Sequence, residues 1–169
     1  MRPITNLTVA IADALFQRNE MKTMLKLGLF ALCLPLMAHA AEPTEKDAIA
    51  MVGKAVAYAK ANGKDKLVAE IVAKNPDFVQ GELYVVVANM SDGVRLVSSN
   101  PKLVGKSILE MQDVDGKEYG KEMLDLVRAK GKGWVEYKYK NPVNGKIEPK
   151  KSYAEKSGDF VAFAGIYKN

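Results

Sequence analysis

The amino-acid sequence predicts an α+β domain in which helices gather on one side of an antiparallel sheet. Three observations carry that reading. Apolar spacing is helical as far as residue 74 and strand-like afterwards, one later stretch returns to helical spacing, and most strand-like segments are joined by short turn dipeptides. Short links favour antiparallel pairing, because a parallel crossover needs a dozen or more residues.

Thr44-Glu45-Lys46-Asp47 fits a capping box, and Ile49, Val52, Val56 and Ala59 follow at helical spacing until Asn62-Gly63 offers a stop. This predicts a helix over 45–61. A shorter pattern places Leu67, Ile71 and Val72 on one side and ends before Asn75-Pro76-Asp77, since the residue ahead of a proline avoids helical geometry. Leu83 to Met90 is a β-branched and apolar run, fit for a central strand buried on both faces. Ser91-Asp92-Gly93 reads as a turn and Val94 to Ser98 as the returning strand of a hairpin. Ser99-Asn100-Pro101 opens a long connection, and residues 118–130 form a helix with Met123, Leu124, Leu126 and Val127 on its apolar side. Strands over 134–140, 149–157 and 160–167 close the chain. Asn144-Gly145 and Gly158-Asp159 between them suit tight hairpins.

The 169 residues include 25 basic and 20 acidic side chains and are 48% hydrophobic, as for one soluble domain. The only His and the only Cys, His39 and Cys33, fall in an apolar N-terminal stretch. Lys22 and Lys26 form a positive front, eleven apolar residues span Leu27 to Met37, and Ala38-His39-Ala40 supplies a cleavage signature. Residues 1–40 are therefore expected to be a leader and cleavable signal peptide, with Met21 as the start and residues 41–169 as the exported domain. The run is about half the roughly 20 residues that span a bilayer. Without residues 1–40, 21 basic and 18 acidic side chains remain, a formal charge of +3.

An exported domain with neither His nor Cys has no Ser-His-Asp triad, no thiolate nucleophile, no ordinary zinc site and no c-type haem attachment. No catalytic residue, metal or cofactor is expected. Met111, Asp113, Asp115, Gly116 and Glu122 have the spacing of a calcium loop, but Met in the first ligand position cannot coordinate calcium usefully. Glu136 and Glu155 could form a carboxylate pair on nearby strands, although nothing in their spacing demands it. Lysines crowd residues 130–156 without a single Arg, so nucleic acid is not an expected partner, and outward lysines that protect sheet edges explain the excess.

The residues from Tyr84 onward resemble the single Cache domain family, the type-2 group of PAS-like extracytoplasmic sensor domains. The resemblance rests on Tyr84-Val85-Val86-Val87, Asp92-Gly93, the segment from Asn100 to Lys106, Asp113-Val114-Asp115-Gly116-Lys117 and the run from Gly131 to Tyr137. It continues through Asn141-Pro142 with Gly145-Lys146, Lys150 with Ser152-Tyr153, and Ala164-Gly165-Ile166-Tyr167. It implies a PAS-like five-stranded antiparallel sheet with a long N-terminal helix, and a small pocket for short organic acids. It also implies a periplasmic or secreted site of action, a separate membrane receptor or kinase as partner, and the possibility of a homodimer. The family commonly places a histidine after the second strand where this sequence has Leu96-Val97-Ser98, so the ligand can differ. Asn169 lies two residues past the last expected strand, which adds no membrane helix or signalling domain of its own.

A carboxylate in a partly dry pocket needs a charge partner and oriented donors. Lys150 can supply the charge and Tyr84, Ser98, Tyr137 and Tyr153 the donors, with Trp134 closing the pocket edge; the bland readings are a solvated lysine, core phenols and a packed indole. Strand alternation turns Val135, Tyr137 and Tyr139 inward and sets Trp134, Glu136 and Lys138 on the other face. Tyr153 falls opposite Lys150 on a regular strand, so both reach one pocket only if that strand bends. The expected function is a stand-alone binding and sensing module for a small organic anion. A non-binding structural or interaction subunit of a periplasmic complex is the alternative.

Overall fold

A computed structural model describes residues 42–168; the expected leader and cleavage signature lie outside them. Helix α1, Glu45–Asn62, begins at the capping box, with the Thr44 side chain accepting from the Asp47 N–H and the Asp47 carboxylate accepting from the Thr44 N–H at 2.9 Å. Ala48, Met51, Val52, Ala55, Val56 and Ala59 recur three and four apart, which gives this helix one buried stripe. Gly63 at φ 94°, a conformation that glycine adopts without strain, turns the chain into α2, Lys64–Val72.

Strands β1, Val79–Gln80, and β2, Leu83–Tyr84, form a small antiparallel pair of their own. The main sheet has five antiparallel strands: β3, Val86–Asn89; β4, Arg95–Val97; β5, Lys132–Lys140; β6, Ile147–Ser157; and β7, Phe160–Tyr167. They lie in the order β4-β3-β7-β6-β5. The strand expected over 83–90 is divided at Val85, whose N–H donates to the Phe78 carbonyl outside the main sheet at 2.9 Å. The last hairpin turns tightly at Gly158-Asp159, whereas β5 and β6 are joined by residues 141–146, longer than a dipeptide turn.

All eight residues of β7 are buried. A strand apolar on both faces needs cover on both, and this overturns the expectation that helices gather on one side. Ala162, Ala164 and Ile166 face α1 and α2, while Val161 and Phe163 face the third helix, α3, Tyr119–Lys130. Helix α3 buries Met123, Leu124 and Val127 against Val135, Tyr137 and Ala154 of β5 and β6. The connection between β4 and α3 carries two short 3-10 turns, Pro101–Leu103 and Ile108–Glu110, and buries Ile108 beside Tyr119 and Met123. Helix and turn approach so closely at Gly120 that a Cβ there would lie 1.8 Å from the Ile108 carbonyl oxygen. Among the described residues no helix is long and apolar enough to cross a membrane.

Candidate functional site

On the α3 face of the sheet, Arg95, Lys150 and a set of phenols enclose a pocket. Its position follows from two features of the strands. Alternation along β6 sends Lys150, Ser152 and Ala154 to the α3 face, and Lys151 and Tyr153 to the α1 face. On β4 the register slips: Val97 pairs with Val87 and Arg95 with the next residue, Ala88, so that Leu96 is an extra residue. Such a bulge re-aims side chains. Val97 packs towards α1 while Arg95, only two residues away, lines the pocket on the opposite face.

Arg95 and Lys150 are each 4% exposed. The Lys150 amine donates to Tyr167 Oη at 3.0 Å and to Tyr84 Oη at 3.4 Å, and Tyr167 Oη donates in turn to the Lys140 carbonyl at 3.1 Å. The amine also lies 4.2, 4.7 and 5.5 Å from the ring centroids of Tyr167, Tyr84 and Tyr139. Those distances let the electron-rich ring faces replace part of its lost hydration. Tyr137 shares a 2.8 Å hydrogen bond with Ser152 Oγ and stacks on Tyr119, ring centroids 4.1 Å apart and planes 6° from parallel. Arg95 Nη1 is buried with no hydrogen-bond partner.

The electrostatics are one-sided. Among the described residues no Asp or Glu lines the pocket. Glu82 is the acid that acts on Lys150, and its carboxylate is engaged by the Asn141 amide at 3.2 Å. Burial pulls the Lys150 amine below its ordinary 10.5, against a smaller opposing pull from Tyr84. Burial also raises the phenols, Tyr139 to about 12 and Tyr137 and Tyr167 further still. Hydroxyls and two buried basic side chains thus surround a space of about 350 Å³, its open mouth included. Most of that space is too narrow for a water molecule to move in. Gly165 makes the room that exists: a Cβ there would lie 2.2 Å from Ser152 Oγ and 2.6 Å from Lys150 Cε.

Four of the six residues singled out from the sequence, Tyr84, Ser98, Tyr137 and Lys150, line this pocket. Trp134 and Tyr153 do not. They are cross-strand partners on the α1 face, ring centroids 5.4 Å apart, where Lys151 lies 4.8 Å over the indole and pairs with Glu45 of α1 at 2.7 Å. The strand does not bend, so alternation separates Tyr153 from Lys150. Sequence reasoning passed over Arg95, Tyr119, Tyr139 and Ser152. Tyr139 was readable from alternation on β5, whereas Arg95 depends on a bulge that no residue type announces. The other constellations have structural employment. Asp113 accepts the N–H groups of Asp115, Lys117 and Lys138 at 2.9–3.0 Å, which pins the loop ahead of α3 onto β5. Glu136 pairs with Lys168 at 2.8 Å.

Residues 44–162 match the family described as Single Cache domain 2. Solved structures that resemble the chain include three chemotaxis or chemosensory proteins. The periplasmic sensor domain of a chemotaxis protein is 23% identical with a TM-score of 0.57, covering 73% of this chain and 90% of that one. A methyl-accepting chemotaxis protein from Vibrio parahaemolyticus is 24% identical with a TM-score of 0.60, covering 72% and 86%. A Cache chemosensory domain described for its recognition of carboxylic acids is 21% identical with a TM-score of 0.58, covering 93% and 98%. At these identities the likeness is one of fold. The comparison with curated proteins finds no match.

Proposed function

Because the chain belongs to the single Cache domain 2 family, we propose that it is a sensory binding module that takes up a small organic anion outside the cytoplasmic membrane and passes the bound state to a separate membrane partner. One observation carries the choice of ligand charge. Arg95 Nη1 is buried without a partner, in a pocket that also holds the Lys150 amine and is lined by no acid among the described residues. An unpaired buried donor costs on the order of 1–3 kcal/mol, and more when charged. A carboxylate would satisfy it and neutralise the excess positive charge.

In this reading Arg95 presents its guanidinium to the carboxylate, Lys150 supplies the second charge, and Tyr84, Ser98 and Tyr137 supply hydroxyls. Trp134 and Tyr153 have no part in it, since they stand on the far side of the sheet. The proposed relay is a population shift. An anion bridging Arg95 on β4 to Lys150 on β6 favours the arrangement in which the β4–α3 connection is closed over the sheet. A carboxylic-acid-recognising Cache domain among the structural neighbours is consistent with this ligand class.

Calorimetric titration with acetate, propionate, pyruvate and lactate tests the reading. Saturable binding of at least one is the predicted outcome, weakened by about 2–5 kcal/mol in Arg95→Met if the ion pair is buried. Silence across the panel, or equal affinity in the variant, would contradict it.

A further inference from the structure

The charged pocket has a neighbour. At the β4 edge of the sheet, Ile71 and Val72 of α2, Val85, Leu96 and Val104 line a mainly apolar groove of about 1010 Å³, open mouth included. Tyr84 and Ser98 line both this groove and the charged pocket, so the two spaces adjoin at these residues. Val72 is 68% exposed and Val104 45%, although both are large apolar residues. The two spaces differ in kind as well as in size. The first holds the buried basic side chains and leaves almost no free room, while the second is roomy and presents chiefly aliphatic carbon.

We infer that the ligand is a monocarboxylate with an unbranched apolar tail of about four to eight carbons, its head held by Arg95 and Lys150 and its tail passing between Tyr84 and Ser98 into the aliphatic groove. This rests on the anion-binding reading above and deepens it. The charged pocket leaves little free room, so a ligand with more than a carboxylate head must extend beyond it. On the side of Tyr84 and Ser98 the adjoining space is lined by apolar surface. Each methylene moved from water into the groove is worth about 0.8 kcal/mol, close to a fourfold gain in affinity.

The test is a calorimetric series of acetate, butanoate, hexanoate and octanoate at constant ionic strength. It is run on the wild type and on Val104→Asp, a substitution at a half-exposed position. Affinity is expected to climb by about tenfold with each added pair of carbons, and the hexanoate-to-acetate ratio to fall at least tenfold in Val104→Asp. Binding of acetate that stays flat or declines along the series would overturn the tail while leaving the anion site standing. A hexanoate-to-acetate ratio that Val104→Asp leaves unaltered would overturn the tail in the same way. Failure of every member to bind would overturn both.

Discussion

At the residue scale, Arg95 and Lys150 perform the same task by different physics. The buried Nη1 of the Arg95 guanidinium has no hydrogen-bond partner, which is a standing cost to the fold. Arg95→Met is therefore expected to lose the anion and to unfold as readily with ligand as in buffer, with the unliganded variant about 1 kcal/mol more stable than the wild type. Thermal denaturation with and without propionate reads both effects. Lys150 behaves otherwise because burial depresses its pKa. As pH rises through that lowered value the amine loses its charge, so anion affinity should weaken on the alkaline side. In Lys150→Met that decline disappears, a difference that titrations between pH 6 and about 10 would resolve. Lys150 was legible in the sequence through its family setting. Arg95 was not, because alternation alone sends it to the face of Val97, and only the extra residue at Leu96 reverses it.

At the scale of elements, two glycines define how tightly the pocket is built, and neither needs an unusual backbone. Gly165 on β7 sits beneath the Lys150 stem, and a methyl group there would collide with Lys150 Cε and Ser152 Oγ. Gly165→Ala is expected to push the amine out of its ring of phenols and to abolish anion binding, while a folded sheet is retained by circular dichroism. Unchanged binding would show that the stem can yield without consequence. Gly120 is less forgiving, since its neighbour is the Ile108 backbone. Gly120→Ala should separate α3 from the 3-10 turn and cost about 1–3 kcal/mol in urea denaturation, as overpacking does. The strands and helices themselves were largely readable: the capping box at Thr44, the period change near Pro76 and the turn at Gly158-Asp159 are local signals. The break at Val85 is a tertiary event and left none, because an apolar run looks the same whether one sheet or two receives it.

At the scale of the whole molecule, the sheet is covered on both faces. α1 and α2 form one layer, and α3 with its preceding connection forms the other. The buried run of β7 signalled two-sided cover, but nothing in the helical segments says which side each takes. On the α3 face lies a cluster of phenols whose ionisation burial opposes, with Tyr139 pushed up to about 12 and Tyr137 and Tyr167 higher. Their ordinary value is 10.0, so above that pH the unfolded chain gives up protons that the folded protein retains, and stability falls. Lys150 has the opposite sign, adding stability as pH rises towards 10.5. The tyrosine loss outnumbers it, and phenolate absorbance is expected to appear late and together with unfolding, well above pH 10. Early, gradual ionisation of most tyrosines would contradict an enclosed cluster. Two buried basic side chains await one anion, and a crystal structure grown in excess propionate is the decisive measurement. A carboxylate is expected within hydrogen-bond distance of both Arg95 Nη1 and Lys150 Nζ. A pocket holding only water, with propionate elsewhere or absent, would contradict it.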